Sequence, residues 1–247
     1  MIAMLGMYDR PETRDANDRL WSSMRHELGF GPEALTRDQD FFEIWTNPDL
    51  VFAQTCGMPY RMGLHRQVQL VATPDYGLPD CPAGYYYSVL ITHKDNAQAT
   101  LGELCDSTFA YNEPQSQSGW AAPVSHLSDM GLKPFKRLQT GAHYLSARAV
   151  AEKQAAFASL DALTWELIAR YDDFAKDLHV LARTKPTPTL PFITGPRQNP
   201  AEIRTALSRA IGAMSDADRA TLGLQGLVQI PASAYLAVPT PPPPEAL

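Results

Sequence analysis

No run of 18 apolar residues occurs in this sequence, so nothing in it reads as a membrane-spanning helix. Basic residues are few and scattered: 21 Lys and Arg stand against 27 Asp and Glu, for a net charge of −6, and they form no block. That deficit argues against nucleic acid or an anionic membrane surface as the main partner, because both need clustered cations. A small anion stays open, since a local pocket of backbone dipoles can oppose the global charge. Cysteine is scarce as well. Cys56, Cys81 and Cys105 make an odd count with no C-x-x-C pair. No His cluster has metal-ligand spacing, so neither a metal nor a cofactor is expected. Cys56 and Cys81 would be able to pair in an oxidising compartment; the plainer expectation is three buried thiols. A secretory leader is also lacking. The chain opens Met1-Ile2-Ala3-Met4-Leu5-Gly6-Met7 and passes directly to Tyr8-Asp9-Arg10-Pro11, with no charged n-region and no full apolar h-region. The expectation is a cytoplasmic protein, or a periplasmic one whose leader precedes this sequence.

What is present suffices for a packed core. The 247 residues are 45% hydrophobic and 19% charged, which suits one large domain or two lobes. Short apolar runs at 2–7, 50–53, 68–72, 85–92, 108–111, 135–139, 156–160, 178–182 and 190–194 read as strands. Helical spacing marks residues 17–28, 40–45, 101–104, 144–151, 164–170, 201–211 and 216–222. Strands alternating with helices predict an α/β fold of mostly parallel sheets flanked by helices. Turn-rich connectors at 73–84 and 184–189 cut the chain into three blocks. They predict two lobes, residues 1–86 with 185–247 and residues 87–184, joined by two hinge crossings around a ligand cleft. The end of the chain, residues 239–247, holds Pro239-Thr240-Pro241-Pro242-Pro243-Pro244 and is expected to be a loose tail.

Polar clusters follow the strands. They are Tyr8-Asp9-Arg10, then Gln54-Thr55-Cys56-Gly57, then Tyr111-Asn112-Glu113-Pro114-Gln115-Ser116-Gln117-Ser118-Gly119-Trp120, then Gly141-Ala142-His143, and finally Asp161. Ligands of α/β sheets sit beyond the carboxyl ends of strands, so this placement points to a site. At Ser116–Gly119 a strand gives way to a helix. A helix start offers free N–H groups and the positive end of a dipole, hydroxyls add donors, and Gly119 allows close backbone approach. Plain structural readings stand beside these. Ser116 and Asp161 suit N-caps, His143 a capping or part-buried position, and Tyr85, Tyr86 and Tyr87 strand packing.

In order, Ser-Gln-Ser-Gly-Trp, Gly-Ala-His at a helix start and Ala-Ser-Leu-Asp-Ala resemble the substrate-binding proteins of phosphate, phosphite and phosphonate ABC transporters. Gln54-Thr55-Cys56-Gly57-Met58-Pro59-Tyr60 and Tyr85-Tyr86-Tyr87-Ser88-Val89 support the likeness, which spans residues 1–238. The resemblance implies a two-lobed type II periplasmic-binding fold, non-catalytic binding of a small phosphorus oxyanion, and an ABC transporter permease as partner. It assigns hydrogen-bond donation to Ser116, Gln117, Ser118 and Gly119, and to His143. Asp161 would accept a proton from a protonated oxyanion or meet an ammonium. Tyr60 and Tyr87 would shape the pocket, with Tyr8, Gln54 and Thr55 as further ligand-binding positions. A protonated His143 would bind the anion more tightly, so affinity should rise toward low pH. A monomer is expected. The absent leader keeps two rivals open: a cytoplasmic ligand sensor, and an enzyme on the same scaffold that acts on a carboxylated organic substrate. The enzyme would resemble the menaquinone-pathway lyases, with His143, Asp161 or Cys56 as its reactive group, although no His is evident as a dedicated partner for Cys56.

Overall fold

Leu50–Gln54 forms a strand of five consecutive buried residues, the pattern of a strand covered on both faces. In the computed structural model, which describes residues 1–134 and 136–246, this strand lies inside a five-stranded sheet. The sheet order is Ile2–Met4, Leu50–Gln54, Phe192–Thr194, Gln69–Asp75, Gly226–Val228. Helices Pro11–Leu28 and Pro200–Gly212 cover one face, where Leu20, Trp21, Ile203 and Leu207 meet Phe52 and Phe192. Ile44, Trp45, Tyr60, Leu64 and Tyr235 cover the other. These elements make up the first unit, Met1–Tyr85 with Pro188–Ala237.

The second unit is Tyr86–Thr187 with Val238–Leu247. Its sheet order is Lys136–Gln139, Thr108–Tyr111, Phe157–Asp161, Ser88–His93, Leu178–Arg183. The first three are parallel, and Ser88–His93 runs against both of its neighbours. Each sheet thus has a parallel set crossed by reversed strands. Ser88–His93 and Phe192–Thr194 play that part, and each is the first strand of its five-stranded sheet formed after the chain crosses from the other unit. The core gathers Phe109, Tyr111, Trp120 and Phe157, with the Phe109 and Phe157 ring centroids 4.8 Å apart.

Several expectations need correction. The first long helix begins at Pro11, not residue 17, because proline fits the first helical position and the Thr13 hydroxyl accepts the Arg10 N–H at 3.0 Å. The run at 85–92 breaks into Tyr85–Tyr86 and Ser88–His93. Helices Gly57–Met62 and Ala232–Leu236 and the strand Gly226–Val228 form where no periodic signal stood out. The strand expected from residue 135 runs over Lys136–Gln139, and Phe135 itself lies outside the described residues.

The terminal segment is not loose and does not join the first unit. Val238–Leu247 belongs to the second, so the chain passes between units three times rather than twice. The Trp120 indole N–H donates to the Pro242 carbonyl at 3.0 Å, and Pro244 is buried. A proline run loses little entropy when it docks, and its carbonyls remain free to accept. None of the three cysteines is in a disulfide, and Cys56 and Cys105 are buried. Burial pushes the Cys81 thiol up to about 11, helped by the nearby Asp75 carboxylate. Among the described residues no helix is long and apolar enough to cross a membrane.

Candidate functional site

Three adjacent parallel strands of the second unit each run into a helix. Thr108–Tyr111 leads to a π-helical turn at Gln117–Ala121 that continues as Ala122–Asp129. Lys136–Gln139 leads to His143–Ala151, and Phe157–Asp161 to Ala162–Tyr171. The positive ends of three helices therefore lie at one sheet edge, each equivalent to roughly half a unit charge. Turns of the π type recur at functional sites. Here the Ser116 carbonyl accepts from both Trp120 and Ala121 N–H groups, at 3.2 and 3.0 Å.

Ser116 closes the turn by accepting the Gly119 N–H on its hydroxyl at 3.0 Å, so its capping role is real. Ser118 reaches outward to His143: its Oγ lies 2.8 Å from Nε2. From below, the Ser159 hydroxyl donates to the Ser118 carbonyl at 2.7 Å. Gly119 must lack a side chain, because a Cβ there would overlap Asn112 Oδ1 and stand 3.1 Å from His143 Cε1. The loop that carries His143 is pinned to the first: Thr140 and Gly141 N–H groups donate to the Tyr111 and Asn112 carbonyls, both at 2.9 Å. Gly141 itself has φ +85, which glycine adopts without strain.

Asp161 caps the third helix, accepting the Thr164 N–H at 2.8 Å and the Thr164 hydroxyl at 2.5 Å. Its Oδ2 is also 3.6 Å from His143 Nε2, with the Asp161 side chain only 4% exposed. Capping and site placement coincide in this residue. Burial lowers the His143 pKa below its ordinary value of 6.5, against an opposing pull from Asp161, so the ring is neutral at pH 7. Tyr87 stands beside this group. Its carbonyl accepts the Ala162 N–H at 3.1 Å, its neighbour Ser88 pairs with Asp161 across the sheet, and the Arg183 guanidinium lies 4.8 Å over its ring.

The sites named in the first unit divide. Gln54 donates to the Tyr76 hydroxyl at 3.0 Å and to the Leu190 carbonyl at 3.1 Å. Tyr8 meets Tyr76 edge to face, with centroids 5.7 Å apart. Tyr8, Gln54 and Tyr76 border a cavity of about 30 Å³. Thr55 is fully buried, its N–H bonded to the Pro191 carbonyl at 3.1 Å. Tyr60 is a core residue, packed edge to face on Tyr235 at 5.3 Å, and burial raises its phenol pKa. Tyr76 has no local signal in the sequence, whereas Asn112 and Ser159 lie inside the strand-end cluster and the Ala-Ser-Leu-Asp-Ala motif, which assign neither of them a role.

Chemically, the group in the second unit offers hydroxyls, a neutral imidazole and helix-start N–H groups, with one carboxylate nearby. That set suits an oxyanion that still carries a proton. It does not suit acyl transfer. In a nucleophilic triad the carboxylate holds the imidazole nitrogen opposite the serine, whereas Ser118 and Asp161 here approach the same nitrogen, Nε2. His143 Nδ1 is buried with no hydrogen-bond partner among the described residues.

Known structures share this fold. A binding-protein component of an ABC phosphonate transporter from Pseudomonas aeruginosa is 18% identical, with a TM-score of 0.70 over 92% of this chain and 79% of that one. PhnD1 from Prochlorococcus marinus, solved with methylphosphonate, is 13% identical, with a TM-score of 0.71 over 95% and 94%. A Xanthomonas citri protein bound to chloride is 13% identical, with a TM-score of 0.66 over 94% and 92%. No curated protein sequence matches the chain. Residues 2–235 match the profile described as "ABC transporter, phosphonate, periplasmic substrate-binding protein", and the chain therefore belongs to the family of periplasmic phosphonate-binding proteins of ABC transporters.

Proposed function

We propose that this protein captures a small phosphonate or related phosphorus oxyanion at Ser118, His143 and Asp161, without chemical turnover, and delivers it as a monomer to a transporter permease from the periplasm. One observation carries the proposal: these three side chains meet at three neighbouring helix starts, 2.8 and 3.6 Å apart at a single imidazole nitrogen. Neutral donors and helix dipoles hold an anion without Lys or Arg. The Asp161 carboxylate penalises a fully deprotonated guest and accepts one that still carries a proton, which is selectivity by exclusion. Ser116 supports the turn by capping it. Gln117 and Gly119 supply backbone in the first helical turn, and Tyr87 flanks Asp161. In the first unit, Tyr8 and Gln54 border a small cavity with Tyr76, and the core positions of Thr55 and Tyr60 support a packing role.

A thermal-shift panel tests this with phosphate, phosphite, methylphosphonate, aminoethylphosphonate, sulfate and acetate. A phosphorus oxyanion should stabilise the fold by about 2.7 kcal/mol at a hundredfold excess over its Kd. If none of the four shifts the melting point, or acetate does so more strongly than all of them, the proposal fails.

A further inference from the structure

The residues flanking the loop at 112–119 are Tyr111 and Trp120, and they close its neck by packing ring on ring, with centroids 5.0 Å apart. Phe109 lies under both at 6.3 Å. Trp120 is fully buried, and two different parts of it make bonds. Its backbone N–H donates to the Ser116 carbonyl, inside the turn that carries Ser118 and Gly119. Its indole N–H donates to Pro242, in the last segment of the chain. That segment continues through the buried Pro244 into a short turn in which Ala246 N–H donates to the Pro243 carbonyl at 3.0 Å. One short stretch, Pro242 to Ala246, thus meets the neck at Trp120 and is anchored by the buried Pro244.

We infer that the C-terminal segment 238–246 is a strap that positions the anion-binding turn, acting through Trp120 on Ser116, Ser118 and Gly119. This rests on the proposed ligand site above. Three features favour a strap over passive packing. The contact falls on the residue immediately after Gly119, where a small rotation would redirect the turn. A buried indole N–H has to find an acceptor, and the one it finds is supplied from 122 residues away. The proline run is stiff before it docks, so it holds geometry at little entropic cost. Ser118, His143 and Asp161 are the proposed ligand contacts, whereas the strap acts by position, through its bond to Trp120.

The test compares the intact chain with a chain ending at Ala237, with Pro244→Asp and with Trp120→Phe. Two readouts are needed: amide hydrogen exchange over residues 116–121 in ligand-free protein, and the Kd for methylphosphonate. The shortened chain and Pro244→Asp should exchange about tenfold faster at the turn and bind about tenfold more weakly, with Trp120→Phe intermediate. A synthetic peptide of residues 238–247 added in excess should restore protection to the shortened chain. Exchange at the turn within about twofold of the intact chain in all three variants overturns the inference. So does faster exchange spread evenly over the second unit, which would mean general loosening. If the intact chain itself fails to bind methylphosphonate, the ligand proposal falls, and the exchange data still decide whether the strap holds the turn.

Discussion

Removing the Ser118 hydroxyl separates the proposed binding role of this side chain from its structural one. In Ser118→Ala two losses follow from the geometry. The ligand loses a hydroxyl donor beside an anion, which costs about 1–3 kcal/mol. The free protein loses the 2.8 Å contact to His143 Nε2, leaving a second ring nitrogen without its best partner, at about 1 kcal/mol of stability. The backbone bond from Ser159 to the Ser118 carbonyl is untouched, so the turn itself should persist. The melting point should therefore fall by only about 2–4 °C, while the methylphosphonate Kd rises by about 5- to 150-fold. Calorimetric titration gives the Kd and scanning calorimetry the melting point. Because Ser118 and His143 touch, Ser118→Ala and His143→Ala should be non-additive, with a coupling of about 0.5–3 kcal/mol in the binding energy. Strict additivity, or a Kd for Ser118→Ala within about twofold of the parent, would refute the placement of the ligand.

The pH dependence of stability has a definite sign. Burial lowers the His143 pKa, so below 6.5 the unfolded chain takes up a proton that the folded chain resists, and stability falls as pH falls through that window. Above 6.5 this contribution is fully present and flat. Urea titrations between pH 5 and 8 (about half-unit steps) should show a slope of at most about 1.4 kcal/mol per pH unit that His143→Gln removes; an unchanged slope contradicts the assignment. Asp161→Asn keeps an acceptor for the Thr164 N–H but removes the charge, so the melting point should change little while sulfate gains affinity relative to methylphosphonate. Competition calorimetry reads that ratio, and an unchanged preference would mean that Asp161 is only a cap.

Much of the second unit was legible beforehand because its signals are local. A hydroxyl three residues ahead of a turn N–H predicts the Ser116 cap, and Asp161 before an amphipathic run predicts another. Apolar runs of four to six residues, each followed by a polar cluster, pointed to strand ends as the place for chemistry. Residues without a local signal depend on distant partners. Gln54-Thr55-Cys56-Gly57 reads as a polar cluster after a strand; in the structure Thr55 is buried and Gly57–Met62 is a helix that carries Tyr60 against Tyr235. That packing depends on a residue 175 positions later in the sequence, which no window of neighbouring residues contains.

The sequence by itself determined the α/β alternation, the helix starts at Ser116 and Asp161, and the family, because hydrophobic period, capping and motif order are properties of short segments. Tertiary structure alone decided the rest. It brought His143 to Ser118 across 25 residues and to Asp161 beyond it, since only the order of strands in the sheet makes those three helix starts neighbours. It also decided the fate of the proline-rich end. By composition that segment needs no partner; the buried Trp120 indole needs an acceptor, and the Pro242 carbonyl supplies it, which ties the end of the chain to the turn at 116–121.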